Sequence, residues 1–223
     1  VQELLARGCH ADACDEHGAT PLACAVRRDR LGVAQLLLAA GARLAWSAEE
    51  AAAELCAAAA QGRAQHAKLV LLCGVDANAA NCDGRTALHI AAAEGNSQIA
   101  QLLARHGADL SPVDRLGSTP LNDALRRSNY AIARWLYAEG AVLHWASELG
   151  EAAELNDLAR HGLLERLRNT IACGADPNAA DGDSRTPLHL SACEGRLPVA
   201  VLLLESGARV NSVDRSGLTP LHE

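Results

Sequence analysis

The 223-residue chain carries 20 Lys and Arg against 27 Asp and Glu. The net charge of −7 argues against sequence-independent nucleic-acid binding, which needs a cationic face to displace counterions. Nearly half of the residues are apolar, yet only 3 Trp and 2 Tyr are aromatic and Phe and Met are absent, so the core must be close-packed Ala, Leu, Val and Ile. No apolar run reaches the roughly 18 residues of a membrane span, and no signal-peptide pattern opens the chain.

Along the chain a turn motif returns about every 33 residues, the mark of a repeat architecture. In order it reads Gly18-Ala-Thr-Pro-Leu22, Gly84-Arg-Thr-Ala-Leu-His89, Gly117-Ser-Thr-Pro-Leu121, Ser184-Arg-Thr-Pro-Leu-His189 and Gly217-Leu-Thr-Pro-Leu-His222. Each complete copy is answered downstream by Gly-Ala, at Gly41, Gly107, Gly140 and Gly207. A longer beat of three units carries Cys73-Gly-Val-Asp-Ala-Asn-Ala-Ala80 into Cys173-Gly-Ala-Asp-Pro-Asn-Ala-Ala180, and Trp46 matches Trp145. A chain of this kind grows by stacking, so its function is expected on a surface and not in a catalytic pocket.

Residues 81–113 show the physical logic of one unit. Asn81 to Gly84 supply a turn, with Gly84 free to take a positive φ. Thr86 stands at a helix N-cap, and sister units place Pro at the first helical position, where its missing N–H costs nothing. The pattern predicts a short helix from Leu88 to Ala93 and a break at Gly95-Asn96. A second helix follows from Ser97 to Arg105 with Ile99, Leu102 and Leu103 facing inward, closed by Gly107.

These motifs resemble the ankyrin repeat, whose hallmark is a Thr-Pro-Leu-His turn into paired antiparallel helices and a later Gly-Ala-Asp. The resemblance covers essentially the whole chain. It implies an all-α solenoid of stacked helix-turn-helix units with short β-hairpin fingers, forming a single domain over 1–223. The units run 15–47, 48–80, 81–113, 114–146, 147–180 and 181–213, with partial units at 1–14 and 214–223. Both ends then expose apolar faces that a capping repeat normally covers, and more of the same polypeptide is expected on either side.

Units 48–80 and 147–180 lack the turn motif and begin instead with Ser47-Ala-Glu-Glu and Ser147-Glu-Leu-Gly. Ser47 with Glu50 reads as a capping box, so the finger is expected to be lost and the first helix to start early. That leaves a notch at every third unit.

In ankyrin domains partners are gripped by finger tips and the exposed face of the first helix. Carried over to this sequence, those positions include Glu16, His17, Arg27, Arg28, Arg85, Arg115, Leu116, Arg126, Arg127 and Arg185. The pairs Arg27-Arg28 and Arg126-Arg127 occupy one position 99 residues apart, whereas Glu94 and Glu194 fill it in the alternate type of unit. Planar guanidinium forks suit an acidic or phosphorylated protein segment. The competing reading is that these arginines are solvated or pair with neighbours such as Asp29. Tyr130, Trp135 and Tyr137 cluster as a candidate second contact, because interfaces concentrate such residues, against the alternative that the rings fill the inter-repeat core.

No chemistry for catalysis is legible. A Gly-x-Ser-x-Gly elbow, a phosphate loop and a His-Glu-x-x-His helix are all missing. The resemblance makes His89, His189 and His222 structural imidazoles that tie neighbouring turns. Cys9, His10, Cys14 and His17 fall on ordinary repeat positions without zinc-type spacing, so no metal or other cofactor is expected. The eight cysteines form no spaced framework. Cys24, Cys56, Cys73, Cys173 and Cys193 occupy small apolar repeat positions and read as reduced, semi-buried residues of an intracellular, cytoplasmic protein. The expected activity is protein binding without catalysis, as a scaffold or assembly subunit or, alternatively, as a regulatory or docking segment of a larger enzyme or ion channel.

Overall fold

The computed structural model describes Glu3 and residues 7–16, 18–147 and 149–223. His17, expected at a finger tip, lies outside them. An Asp or Asn side chain organises the fingers that begin at residues 15, 81, 181 and 214. Asp15 Oδ1 accepts the Ala19 N–H at 2.8 Å, and Asn81 Oδ1 accepts the N–H groups of Asp83 and Arg85 at 3.0 Å each. Asp181 and Asp214 repeat the pattern, with Oδ1 accepting from Arg185 at 2.9 Å and from Leu218 at 2.8 Å. These are Asx turns, in which the side chain replaces a backbone partner. Among the described residues the fingers hold one isolated antiparallel bridge, Ala80 to Thr86, and no named strand. The expected β-hairpins are therefore tight turns, too short for a ladder.

Thr20, Thr86, Thr119 and Thr186 stand at the N-cap of the helix that follows the finger. Thr20 Oγ1 accepts the Ala23 N–H at 3.2 Å and Thr119 Oγ1 accepts the Asn122 N–H at 3.4 Å. Pro21, Pro120 and Pro187 follow at the first helical turn. The chain forms two compact units, Val1–Asp114 and Arg115–Glu223. In the first, α1 (Pro21–Arg27), α3 (Ala48–Ala60) and α5 (Ala87–Glu94) are the inner helices. Each pairs with the outer helix that follows it: α2 (Leu31–Ala39), α4 (Ala64–Leu72) and α6 (Ser97–Arg105). In the second, α7 (Pro120–Arg126), α9 (Gly150–His161) and α11 (Pro187–Cys193) pair in the same way with α8 (Tyr130–Ala138), α10 (Leu164–Ala172) and α12 (Leu197–Glu205).

Stacking within each compact unit is held by small side chains. Leu22, Leu55, Leu88, Ile99 and Leu103 are essentially inaccessible in the first, with Ala34, Ala52, Ala58, Ala91 and Ala92 fully buried between them. In the second, Leu155, Leu158, Leu167, Leu188, Val199 and Leu203 form one core cluster. Side-chain bridges set the register between successive repeats. Asn78 Oδ1 accepts the Asp109 N–H at 2.7 Å and its Nδ2 donates to Gly107 O at 3.3 Å. One hundred residues on, Asn178 makes the same two bonds to Arg209 N and Gly207 O, at 2.8 and 3.3 Å.

The helix expected at Leu88 to Ala93 begins one residue earlier and ends one later, and the outer helix matches Ser97 to Arg105. Leu102 is only half-buried; Ala100 takes the inward place beside Ile99 and Leu103. Both finger-less units open their first helix early, as expected, and they differ in how it is capped. Helix α3 starts directly after Ser47 and runs 13 residues, against seven in α1. Glu50 N–H donates to Ser47 Oγ at 3.1 Å and Ser47 N–H donates to Glu50 Oε2 at 2.9 Å, a complete capping box. Helix α9 runs 12 residues but starts at Gly150, with Leu149 at the N-cap and no side-chain cap. Ser147 takes part only through its carbonyl, which accepts the Gly150 N–H at 2.9 Å, because position 150 holds Gly where the first copy has the reciprocating Glu50.

Candidate protein-interaction surface

The basic positions divide by how firmly each guanidinium is already held. Arg27, at the end of α1, lies over the Trp46 ring at 5.8 Å from its centroid and 4.0 Å from Glu50. Its acid is therefore Glu50 and not Asp29, which is engaged by Arg63 and His66. Arg28 caps α1 and is exposed, as is Glu16 in the preceding finger. Arg85 is half-buried in the finger before α5, its carbonyl accepting the Cys56 Sγ–H at 3.8 Å. In the second compact unit Arg185 is held within its own finger by Asp181 at 3.4 Å and Asp183 at 3.7 Å. An arginine bound in this way organises the finger first.

The finger before α7 is different. Arg115 is exposed and Leu116 is 78% exposed at its tip. Arg126 and Arg127 are exposed at the far end of the same helix, with Arg126 Nη1 donating to Ser118 Oγ at 3.4 Å. Ser118 in turn donates to the buried carboxylate of Asp123 at 3.0 Å. The aromatic group is split. Tyr130 O–H donates to Ser128 Oγ at 3.2 Å, Trp135 is half-buried, and Tyr137 is 44% exposed on α8. The Tyr137 hydroxyl lies against Gly174, where an added Cβ would meet it at 3.2 Å.

The Thr-x-Leu-His imidazoles have a defined tautomer. His189 Nδ1 accepts the Thr186 N–H at 3.1 Å, so the ring proton resides on Nε2, which donates to Leu218 O of the following turn at 3.3 Å. His89 Nδ1 accepts the Thr86 N–H at 3.1 Å, and His222 repeats this with Thr219 at 3.1 Å. A nitrogen occupied by a backbone amide is unavailable as a general base.

A family model describing ankyrin repeats in three copies matches residues 55–144 and 143–223, and a single ankyrin-repeat model matches 17–45. The chain belongs to the ankyrin-repeat family. Ankyrin repeats are protein-interaction modules, and domains of this kind are generally non-catalytic. Over 62 residues the chain is 48% identical to the potassium channel KOR1 of Oryza sativa subsp. japonica, which covers 28% of this chain and 7% of the channel. It is 41% identical over 73 residues to serine/threonine-protein kinase 12 of Arabidopsis thaliana, covering 33% of this chain and 16% of the kinase. Over 49 residues it is 49% identical to the transient receptor potential channel pyrexia of Drosophila melanogaster, covering 22% of this chain and 5% of the channel. The chain thus spans only a small part of these curated relatives.

Other chemistry on these ankyrin repeats is sparse. Among the described residues no three His, Cys, Asp or Glu side chains are grouped to hold a metal, and no helix is long and apolar enough to cross a membrane. All eight cysteines are free. Burial pushes the Cys56, Cys73 and Cys173 thiols up, opposed at Cys56 by the charge of Arg85 and at Cys173 by that of Arg134. Cys193, expected to be semi-buried, is exposed because it is the last residue of α11, beyond the cover of the neighbouring repeat.

Proposed function

We propose that the chain is a scaffold or assembly subunit that holds protein partners through the concave finger and inner-helix face of its repeats, without catalysis of its own. The observation that carries this reading is the finger before α7. An apolar tip, Leu116 at 78% exposure, stands beside Arg115, and Arg126 and Arg127 are exposed on the helix that the finger opens. An exposed Leu flanked by guanidinium forks suits a segment that offers an apolar side chain and acidic or phosphorylated groups. Arg27 and Arg28 form the equivalent pair in the first compact unit, with Glu16, Arg85 and Arg185 as finger positions of lesser weight. Tyr137, with Tyr130 and Trp135, is a second contact on an outer helix. Eight free cysteines favour a reducing, intracellular and cytoplasmic setting.

A second reading is favoured by the relatives. Segments like this one occur in potassium channels and in a protein kinase, where they make up a small fraction of each chain. On that reading the repeats are a regulatory or docking arm of a larger enzyme or channel. Peptide mapping of the native protein distinguishes the two: catalytic or membrane segments flanking Val1 and Glu223 indicate the docking arm, and further repeats with caps indicate the scaffold. The binding face is tested with an array of Asp/Glu-rich and phosphorylated peptides carrying one Leu or Ile. The wild-type chain is expected to bind a subset, and the R126E/R127E variant to lose that subset by about tenfold or more, the scale of charge-assisted contacts. Unchanged binding by the variant would refute the assignment.

A further inference from the structure

The two finger-less units share an inter-helix pair that the other repeats lack. Glu54 of α3 and Glu154 of α9 stand where the finger-bearing units place Pro21, Ala87, Pro120 or Pro187. Each faces a residue of the following outer helix, His66 or Arg166, in the register filled elsewhere by Val33, which is half-buried, and by three others, Ile99, Ile132 and Val199. Those three aliphatic side chains are buried, so a polar group has been set into a core position twice. In the second copy that group is a guanidinium, and Arg166 Nη2 donates to Glu154 Oε1. Arginine is charged at every relevant pH.

The first copy sets an imidazole in that place, and both of its nitrogens are occupied. His66 is 1% exposed; its Nε2 lies 2.7 Å from Glu54 Oε1, and its Nδ1 contacts Asp29 Oδ1 in the turn between α1 and α2. Asp29 has a φ of +54°, a conformation rarely held by residues other than Gly, and lies 3.8 Å from Arg63. At the matching turn of the second compact unit stands Ser128, with a φ of +62° and no carboxylate. A carboxylate only accepts hydrogen bonds, whereas a neutral imidazole has one N–H and one lone pair. Neutral His66 would turn a lone pair from a ring that is 1% exposed onto the carboxylate of Glu54, 27% exposed, or of Asp29, 49% exposed, an unmatched polar contact for the buried ring. An imidazolium has an N–H for each carboxylate.

We propose that His66 is held as the imidazolium, performing in the first super-repeat the task of Arg166 in the second. The seam between repeats 15–47 and 48–80 is then a proton-dependent joint. Arg166 bonds one carboxylate within its own repeat, whereas His66 bonds one in its own repeat and one in the repeat before it. Loss of the ring proton with rising pH breaks the tie to Asp29 or to Glu54, so the contribution is present while the ring is charged and is lost as pH rises. The charged groups involved are Asp29, Glu54 and Arg63. Helices α1 and α6, also packed on α4, bond the ring through no charged side chain among the described residues.

The test is carried out on the folded 223-residue chain. At about pH 5, below the usual histidine range, long-range ¹H–¹⁵N correlation should show both His66 ring nitrogens bearing protons. Between about pH 5 and 8 the thermal midpoint of the wild type should fall relative to that of His66→Arg, which keeps a charge at this site. A His66 ring nitrogen without a proton at about pH 5 would overturn the proposal. So would parallel pH profiles for the two proteins. The ring signals of the wild type decide the matter alone if the variant does not fold.

Discussion

Replacing Ser47 by Ala removes the acceptor of the Glu50 N–H, a bond of 3.1 Å at the start of the 13-residue α3. It leaves the reciprocal bond from Ser47 N–H to Glu50 Oε2 at 2.9 Å without the geometry that fixes it. N-cap losses of this type cost about 1 kcal/mol, which corresponds to about a fivefold increase in local opening. Ser147, its counterpart 100 residues on, makes no side-chain cap to α9, so Ser147→Ala should change stability by less than about 0.5 kcal/mol. A stack of repeats need not unfold in one step, which makes a single global free energy a poor readout. Amide hydrogen exchange over Ala51–Leu55 and over Ala153–Asp157 reports each helix start by itself. Ser47→Ala should speed exchange in the first segment about fivefold and Ser147→Ala should leave the second unchanged. Equal effects, or none at Ser47, would refute the view that α3 begins at a working capping box and α9 does not.

His189→Ala strands the buried Thr186 N–H and the Leu218 carbonyl and opens a cavity, so it should cost about 2–3 kcal/mol by urea denaturation. The exposed His222 makes the same local bond, and His222→Ala should cost under about 1 kcal/mol. Asn78→Ala and Asn178→Ala remove the same pair of inter-repeat bonds and should each lower stability by about 1 kcal/mol; a large inequality would contradict their equivalence. The Cys56 and Cys173 thiols are held above their ordinary range by burial, so the unfolded chain releases their protons first and stability should fall as pH rises through the usual thiol range. Cys56→Ala should flatten that alkaline decline, and in the folded chain Cys56 and Cys173 should react with a disulfide reagent more slowly than exposed Cys82 and Cys193.

Much of the architecture is legible in the sequence because it is local. Asp or Asn at the base of each finger, Thr at the cap, Pro at the first helical turn and Gly after the outer helix each act within about five residues, and an ordered string of such signals sets helix position and repeat length. The capping box at Ser47 and Glu50 belongs to this class. Ser147 has no reciprocating acid, since position 150 is Gly, and α9 starts three residues after it without a side-chain cap. The candidate binding positions are legible only as register positions. Whether an arginine there is already held depends on neighbours in other turns and helices, as the contrast between Arg185 and Arg127 illustrates.

His66 marks the limit of such reading. A polar residue in the register of Ile99, Ile132 and Val199 is a visible signal, and Glu54 and Glu154 at matching places reinforce it. Nothing in the linear chain states that Asp29, 37 residues earlier, closes on the second ring nitrogen. By itself the sequence determined the repeat, the caps at Thr20, Thr119 and Ser47, and the two units that lose their fingers, since those follow from short-range backbone hydrogen bonding. The tertiary structure alone decided which charges meet across a seam, because helix packing brings side chains from different repeats onto a ring that is itself buried.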